Sequence, residues 1–295
     1  MPKNNGVKEL FDVSNKVVVV TGGASGIGRG VAEKFAALNA KIFIVDIDDV
    51  AANAVTQQIK NQGGEATFIC ADVSNPKHIK KAISKVVKVH GGIDVLVNSA
   101  APSRKNRGAS NLSQEAFTME HWDYEMNVLV KAQANISREA LPHLIKSQGS
   151  IVNFGSTAGA LITHQTCAYH SGKAAIEQLT RYLAFEFGGS GVRVNAICPG
   201  IVERAVGPSI TDDPENREII RQVIPLQRAA SAGDIANVAI FLSSNAGSYI
   251  TGQSIVTDGG LSIGEQFGVA RKIMTGNESK REGRGSRTSP EGDGK

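Results

Sequence analysis

The chain has 295 residues, 41% of them hydrophobic and 20% charged, with a formal net charge of +4. That composition is ordinary for a globular protein, and no apolar run reaches the ~20 residues of a membrane-spanning helix. The basicity does not predict a nucleic-acid partner: residues 271–295 hold seven Lys/Arg and four acids, and removing them from the totals of 32 and 28 leaves 25 against 24.

Residues 1–14 are a polar lead-in without the apolar core of a signal peptide, so a cytoplasmic address is expected. Val17–Val20 is a continuous β-branched run, the mark of a strand buried on both faces. The turn Thr21-Gly-Gly-Ala-Ser-Gly-Ile-Gly28 follows, and a helix then places Ile27, Val31, Phe35 and Leu38 on one side. Its glycines are spaced Gly22-x-x-x-Gly26-x-Gly28, which differs from G-x-G-x-x-G but keeps the same physics. Glycines let the backbone approach a pyrophosphate, and the helix N-terminus offers unpaired N–H groups. A second strand, Ile42–Val45, ends at Asp46 and Ile47. Asp46 lies 18 residues past Gly28, where an acid can hold an adenosine ribose hydroxyl. With Asp48 and Asp49 beside it, the region repels a 2′-phosphate and favours NAD over NADP. The competing role, capping the next helix, suits Asp48 or Asp49 better than Asp46.

Strand and helix continue to alternate. Thr67–Cys70 leads to Asp72-Val73, and Asp94–Val97 leads to Asn98-Ser99-Ala100-Ala101. Asp72 stands where it can meet an adenine and Asn98 where it can tie the sheet to a cofactor; either can equally close its own turn. Residues 102–118 form a polar loop with Arg104, Lys105 and Arg107, and a helical region from His121 to Lys146 carries Asn127. The strand Ile151–Phe154 ends at Gly155 and exposes Ser156. Tyr169 and Lys173 begin a helix with apolar Ile176, Leu179, Leu183 and Phe187, so phenol and ammonium share one face. A free phenol, with a pKa near ~10, is a poor base at neutrality. A cation ~4 Å away at an effective dielectric of ~20 favours the phenolate by about 4 kcal/mol, enough for acid–base work. The competing reading is a half-buried aromatic beside a solvated charge.

Val192–Cys198 is the next strand, ending in Pro199-Gly200. Residues 203–230, with Pro208, Pro214 and Pro225, read as a long loop serving as a substrate lid. Asp234–Ser243 reads as a helix and Ser254–Thr257 as the last strand. One domain over residues 15–264 is expected, followed by a polar, disordered tail over 265–295. Cys70 and Cys198 fall in apolar runs expected in the core, and Cys167 in small-residue packing; their spacing predicts neither disulfides nor a metal site.

Taken together, the glycine turn, Asp72, Asn98-Ser-Ala100, Asn127, Ser156, Tyr169-His-Ser-Gly-Lys173, Pro199-Gly200 and Ile250-Thr-Gly-Gln253 resemble the short-chain dehydrogenase/reductase family over residues 15–262, including a Ser156–Tyr169 spacing of 13. The resemblance implies a single-domain α/β Rossmann-type fold: a doubly wound sheet of about seven parallel strands with helices on both faces. It implies that Tyr169 is the acid/base, that Lys173 holds the nicotinamide ribose, and that Ser156 orients the substrate oxygen. Asn127 would hold a relay water. Gly22, Ser25 and Ile27, on the turn of Gly26 and Gly28, would meet the pyrophosphate, Asp46 the ribose, and Asp72 and Val73 the adenine. Asn98 and Ala100 would run along the cofactor, with Pro199, Gly200 and Val202 beside the nicotinamide. A homodimer or homotetramer packed through the Asn127 and Tyr169 helices is also implied.

Two departures stand out: Ala101 replaces the family's usual glycine, and Arg204 stands where a threonine commonly holds the carboxamide. The expected function is NAD-dependent hydride transfer between nicotinamide and a secondary alcohol or ketone. Arg104, Lys105, Arg107 and Arg204 suggest an anionic substrate. The alternatives are a 3-oxoacyl-thioester reductase, against which Asp46 counts, and a non-catalytic NAD-binding scaffold, against which Ser156, Tyr169 and Lys173 count.

Overall fold

Strands arise where the sequence runs apolar on both faces, and helices where apolar residues recur every three to four positions. The computed structural model describes residues 6–102, 118–163, 165–265, 268–271 and 273–274. A short helix α1 (Gly6–Leu10) precedes β1 (Val17–Thr21), α2 (Gly26–Ala37), β2 (Lys41–Asp46), α3 (Asp49–Asn61), β3 (Glu65–Cys70), α4 (Pro76–His90) and β4 (Val95–Asn98). Then come α5 (Met119–Met126), α6 (Ala132–Ser147), β5 (Ser150–Phe154), α7 (Cys167–Phe187), β6 (Arg193–Pro199), α8 (Pro214–Val223), α9 (Ala232–Ser243) and β7 (Ser254–Thr257).

All seven strands are parallel, in the order β3-β2-β1-β4-β5-β6-β7. The order reverses between β1 and β4, which pair Thr21 with Asn98 at their carboxyl ends. That switch point is where an open α/β sheet holds its ligand. Alternate strand residues feed two cores. Val18, Val20, Ile42 and Ile44 pack against α2, α3 and α9, and Val19, Phe43, Leu96 and Ile151 against α4, α6 and α7.

The helical region expected over 121–146 is present, with a π-helical stretch, Asn127–Lys131, between α5 and α6. Two sequence expectations need correction. The loop over 203–230 contains α8, which Pro214 starts from the first helical position with Asp213 as its cap. Cys70 and Cys167 are exposed and only Cys198 is buried. Cys70 ends β3, an edge strand paired with a neighbour on one side only, and Cys167 opens α7. Arg104, Lys105, Arg107 and the chain beyond 274 lie outside the described residues.

Candidate active site

Gly22 leaves β1 with φ +66°, and a Cβ there would lie 2.8 Å from the Ala100 Cα, too close for any side chain. Gly28 is equally constrained, since a Cβ would stand 2.3 Å from the Gly22 carbonyl oxygen. The first turn of α2 is therefore pressed against the strand exit. At Gly26 a Cβ would meet no protein atom within 4 Å, so that side of the turn opens outward. Ser25 caps α2 without a side-chain bond, which leaves the first-turn N–H groups available to an anion. This backbone cradle fits the pyrophosphate of a dinucleotide.

Asp46 closes the cradle from β2. Its carboxylate accepts the Ala24 N–H at 3.0 Å and the Asp48 N–H at 3.1 Å. Asp48 caps α3 by accepting the Ala51 N–H at 3.0 Å, so capping and the Asp46 position are separate, while Ile47 is exposed. Thr21, not singled out from the sequence, organises the other wall: its Oγ1 accepts the N–H groups of Ser99 at 3.1 Å and Ala100 at 3.2 Å. A buried hydroxyl at the end of a strand that pairs with β4 is the signal that could have found it.

Asp72 adopts the turn role, accepting the Ser74 N–H at 2.8 Å and hydroxyl at 2.7 Å, and Val73 packs on the α4 side of the core. Asn98 is 0% exposed. It donates to Asn153 Oδ1 at 2.9 Å and Ser137 Oγ at 3.2 Å, locking β4 to β5 and α6.

Ser156, Tyr169 and Lys173 lie around the carboxyl end of β5. Lys173 is only 4% exposed; its Nζ donates to the Phe154 carbonyl at 2.6 Å and lies 5.5 Å from the Tyr169 ring centroid. It is no solvated charge. Ser156, two residues past Phe154, caps a short helical turn by accepting the Ala158 N–H at 3.1 Å. Thr166 caps α7 and accepts the Tyr169 N–H at 3.1 Å. Thr157 donates to the Pro199 carbonyl at 3.4 Å, joining this turn to the end of β6. There a Cβ on Gly200 would stand 2.7 Å from the Asp258 Cβ, and Val202 pairs with Ala230. Arg204 is exposed, and its backbone N–H donates to Ser209 Oγ at 3.1 Å.

Asn127 opens the π-helical stretch. It lines a surface recess with Asp123, Tyr124, Met126, Val130 and Lys131. The residue of the π-helical stretch that faces α7 is Leu129, fully buried, whose Cδ1 would lie 2.9 Å from a Cβ on Gly172.

A parallel doubly wound sheet, a glycine cradle at its switch point and a phenol–ammonium pair at its carboxyl edge define the class: a nucleotide-dependent oxidoreductase. A family model described as Enoyl-(Acyl carrier protein) reductase matches residues 22–262. Oxidoreductase UcpA of Salmonella typhimurium is 33% identical over 265 residues, covering 87% of this chain and 98% of that protein. The 3-oxoacyl-[acyl-carrier-protein] reductase FabG of Thermotoga maritima is 33% identical over 252 residues, 85% and 99% of the two chains. The structure of a short-chain type dehydrogenase/reductase from Mycobacterium ulcerans aligns with a TM-score of 0.79 at 29% identity, covering 91% and 98%. The chain belongs to the short-chain dehydrogenase/reductase family, oxidoreductases that use a nicotinamide cofactor on alcohol or ketone substrates. Among the described residues there is no acid, His and Cys group able to hold a metal, and no helix long and apolar enough to cross a membrane.

Proposed function

We propose that this protein is an NAD-dependent dehydrogenase or reductase that interconverts a secondary alcohol and a ketone, with Tyr169 as acid/base. One observation carries the reading: a buried Lys173 ammonium 5.5 Å from the Tyr169 ring, anchored to the strand end that also presents Ser156. In oxidation the Tyr169 oxygen takes the substrate hydroxyl proton, and in reduction it returns one. Lys173 supplies positive charge beside that oxygen, and Ser156 Oγ hydrogen-bonds the substrate oxygen. The nicotinamide, when bound, gives or accepts the hydride.

Gly22, Ser25, Gly26, Ile27 and Gly28 would hold the pyrophosphate, Asp46 and Ile47 the adenosine ribose, and Asp72 and Val73 the adenine. Ala100, Tyr169, Lys173, Pro199, Gly200 and Val202 would border the nicotinamide side. Preference for NAD rests on Asp46, whose carboxylate accepts the Ala24 and Asp48 N–H groups beside the glycine turn and would repel a 2′-phosphate. An anionic substrate, a homo-oligomer packed through the outer faces of α5 and α7, a lid over 203–230 and a cytoplasmic location complete the proposal.

The similarity to FabG supports a second reading, reduction of a 3-oxoacyl thioester, which the NAD-favouring Asp46 opposes. The test follows NADH absorbance across alcohols, ketones and 3-oxoacyl thioesters with each cofactor separately. Tyr169→Phe is expected to lower kcat by roughly 10²–10⁴-fold with NADH binding intact. A variant keeping more than about a tenth of the wild-type rate removes Tyr169 from this role. Equal use of NADP by the wild type overturns the Asp46 assignment.

A further inference from the structure

A carboxyl group that this mechanism does not use lies behind the Tyr169 helix. Glu125, in the last turn of α5, is 0% exposed, and its Oε2 accepts the hydroxyl of Thr166. That hydroxyl oxygen in turn accepts the backbone N–H of Tyr169. The chain of bonds therefore runs from a buried carboxyl through the α7 cap to the residue that bears the phenol. The other oxygen, Oε1, is buried and has no hydrogen-bond partner among the described residues.

Packing does not account for an acid at this point. Leu129 and Met126 lie against Gly172 in this contact, and an apolar side chain at position 125 would fill space there without desolvating a carboxyl. A threonine can cap a helix unaided, but its hydroxyl rotates freely and its lone pair need not face the third N–H of the helix. An acceptor on the far side fixes the hydroxyl hydrogen and so aims the lone pair. At α7 the third N–H belongs to Tyr169 itself.

We propose that Glu125 is a positioning residue: through Thr166 it sets the first turn of α7, and thereby the reach of the Tyr169 phenol relative to Lys173. The proposal rests on the reading of Tyr169 as the acid/base.

The test compares full-length wild type with Glu125→Leu, Glu125→Gln, Thr166→Val and the Leu/Val double variant. Two readouts are taken, steady-state kinetics and hydrogen exchange at the Tyr169 amide. Glu125→Leu and Thr166→Val should each lower kcat by roughly tenfold or more, since a ~1 Å misplacement of a reacting group can cost up to ~10²-fold. KM for the alcohol should stay within about twofold, because Ser156 and the cradle are untouched. The double variant should lose no more than the worse single, as expected of two groups in one bond chain. Glu125→Gln keeps an oxygen acceptor and should rescue at least half of kcat. In parallel, the Tyr169 amide should exchange faster in Glu125→Leu and Thr166→Val, but not in Glu125→Gln. Glu125→Met serves if Glu125→Leu does not fold. Wild-type kcat and exchange in the Glu125 apolar variant, or fully multiplicative losses in the double variant, overturn the proposal. Faster exchange in a protein whose wild type shows no turnover on any alcohol or ketone leaves the positioning intact and overturns the dehydrogenase reading instead.

Discussion

Cys198 is enclosed where a Cβ on Gly155 would stand 2.7 Å from its sulfur, with Glu177 nearby. Burial first, and the Glu177 charge second, push its thiol up to about 12. At neutral pH it stays protonated and unreactive, whereas Cys70 and Cys167 are exposed. A thiol reagent should therefore titrate two cysteines in the folded protein and the third only after unfolding; three in the native state would contradict the packing around Cys198. Residues of the site differ in the same way in how readable they were. Tyr169 and Lys173 could be paired from the sequence because a four-residue step on a helix fixes their relative direction. The π-helical stretch that Asn127 opens was not legible, because no change of apolar spacing marks it, and it sets Leu129 against Gly172. Glu125 and Thr166 come from segments 41 residues apart, and nothing local links them.

Helix α9 begins with a reciprocal cap: Ser231 accepts the Asp234 N–H at 3.1 Å, and Asp234 accepts the Ser231 N–H at 2.8 Å. Arg228 adds a bond to Asp234 at 2.7 Å. Hydrogen bonds from Arg228 and then Ser231 hold the Asp234 carboxyl well below the usual carboxylate range. Because the folded value is depressed, the stabilisation is complete above the unfolded value near ~4 and fades as pH falls through the folded one. Asp234→Ala should accordingly cost about 1 kcal/mol at pH 7, as cap removals do. The gap to wild type should narrow steadily below ~pH 4, read by urea denaturation at several pH values. A gap that widens in acid would reverse the sign of this argument. The sequence located α9 to within two residues of its start, and the Ser231-x-x-Asp234 cap before an apolar run accounts for the two residues it left out. It missed α8 because its prolines were weighed as loop formers, although Pro214 occupies the first helical position.

Across the whole molecule, the two apolar layers meet a short polar seam. Asn98 of β4 donates to Asn153 of β5, and Asn153 donates to Thr180 of α7 at 2.9 Å, so the floor beneath Lys173 is pinned across three elements. Asn98→Ala strands the Asn153 acceptor in the interior and should destabilise the protein by about 1–3 kcal/mol, with an unchanged denaturant slope. Loss below ~0.5 kcal/mol would mean the seam contributes little. The seven parallel strands were legible because runs such as Val17–Val20 are apolar on both faces, and only a sheet covered on both sides buries them. The seam was not legible, since a lone asparagine at a strand end reads equally well as a turn residue or a ligand contact.

The fit of Leu129 against Gly172 also governs how the protein can diverge. With 2.9 Å separating the leucine terminus from the point where any β-carbon on Gly172 would stand, the two helices share one tolerance. Enlarging either position would tilt phenol and ammonium as a block.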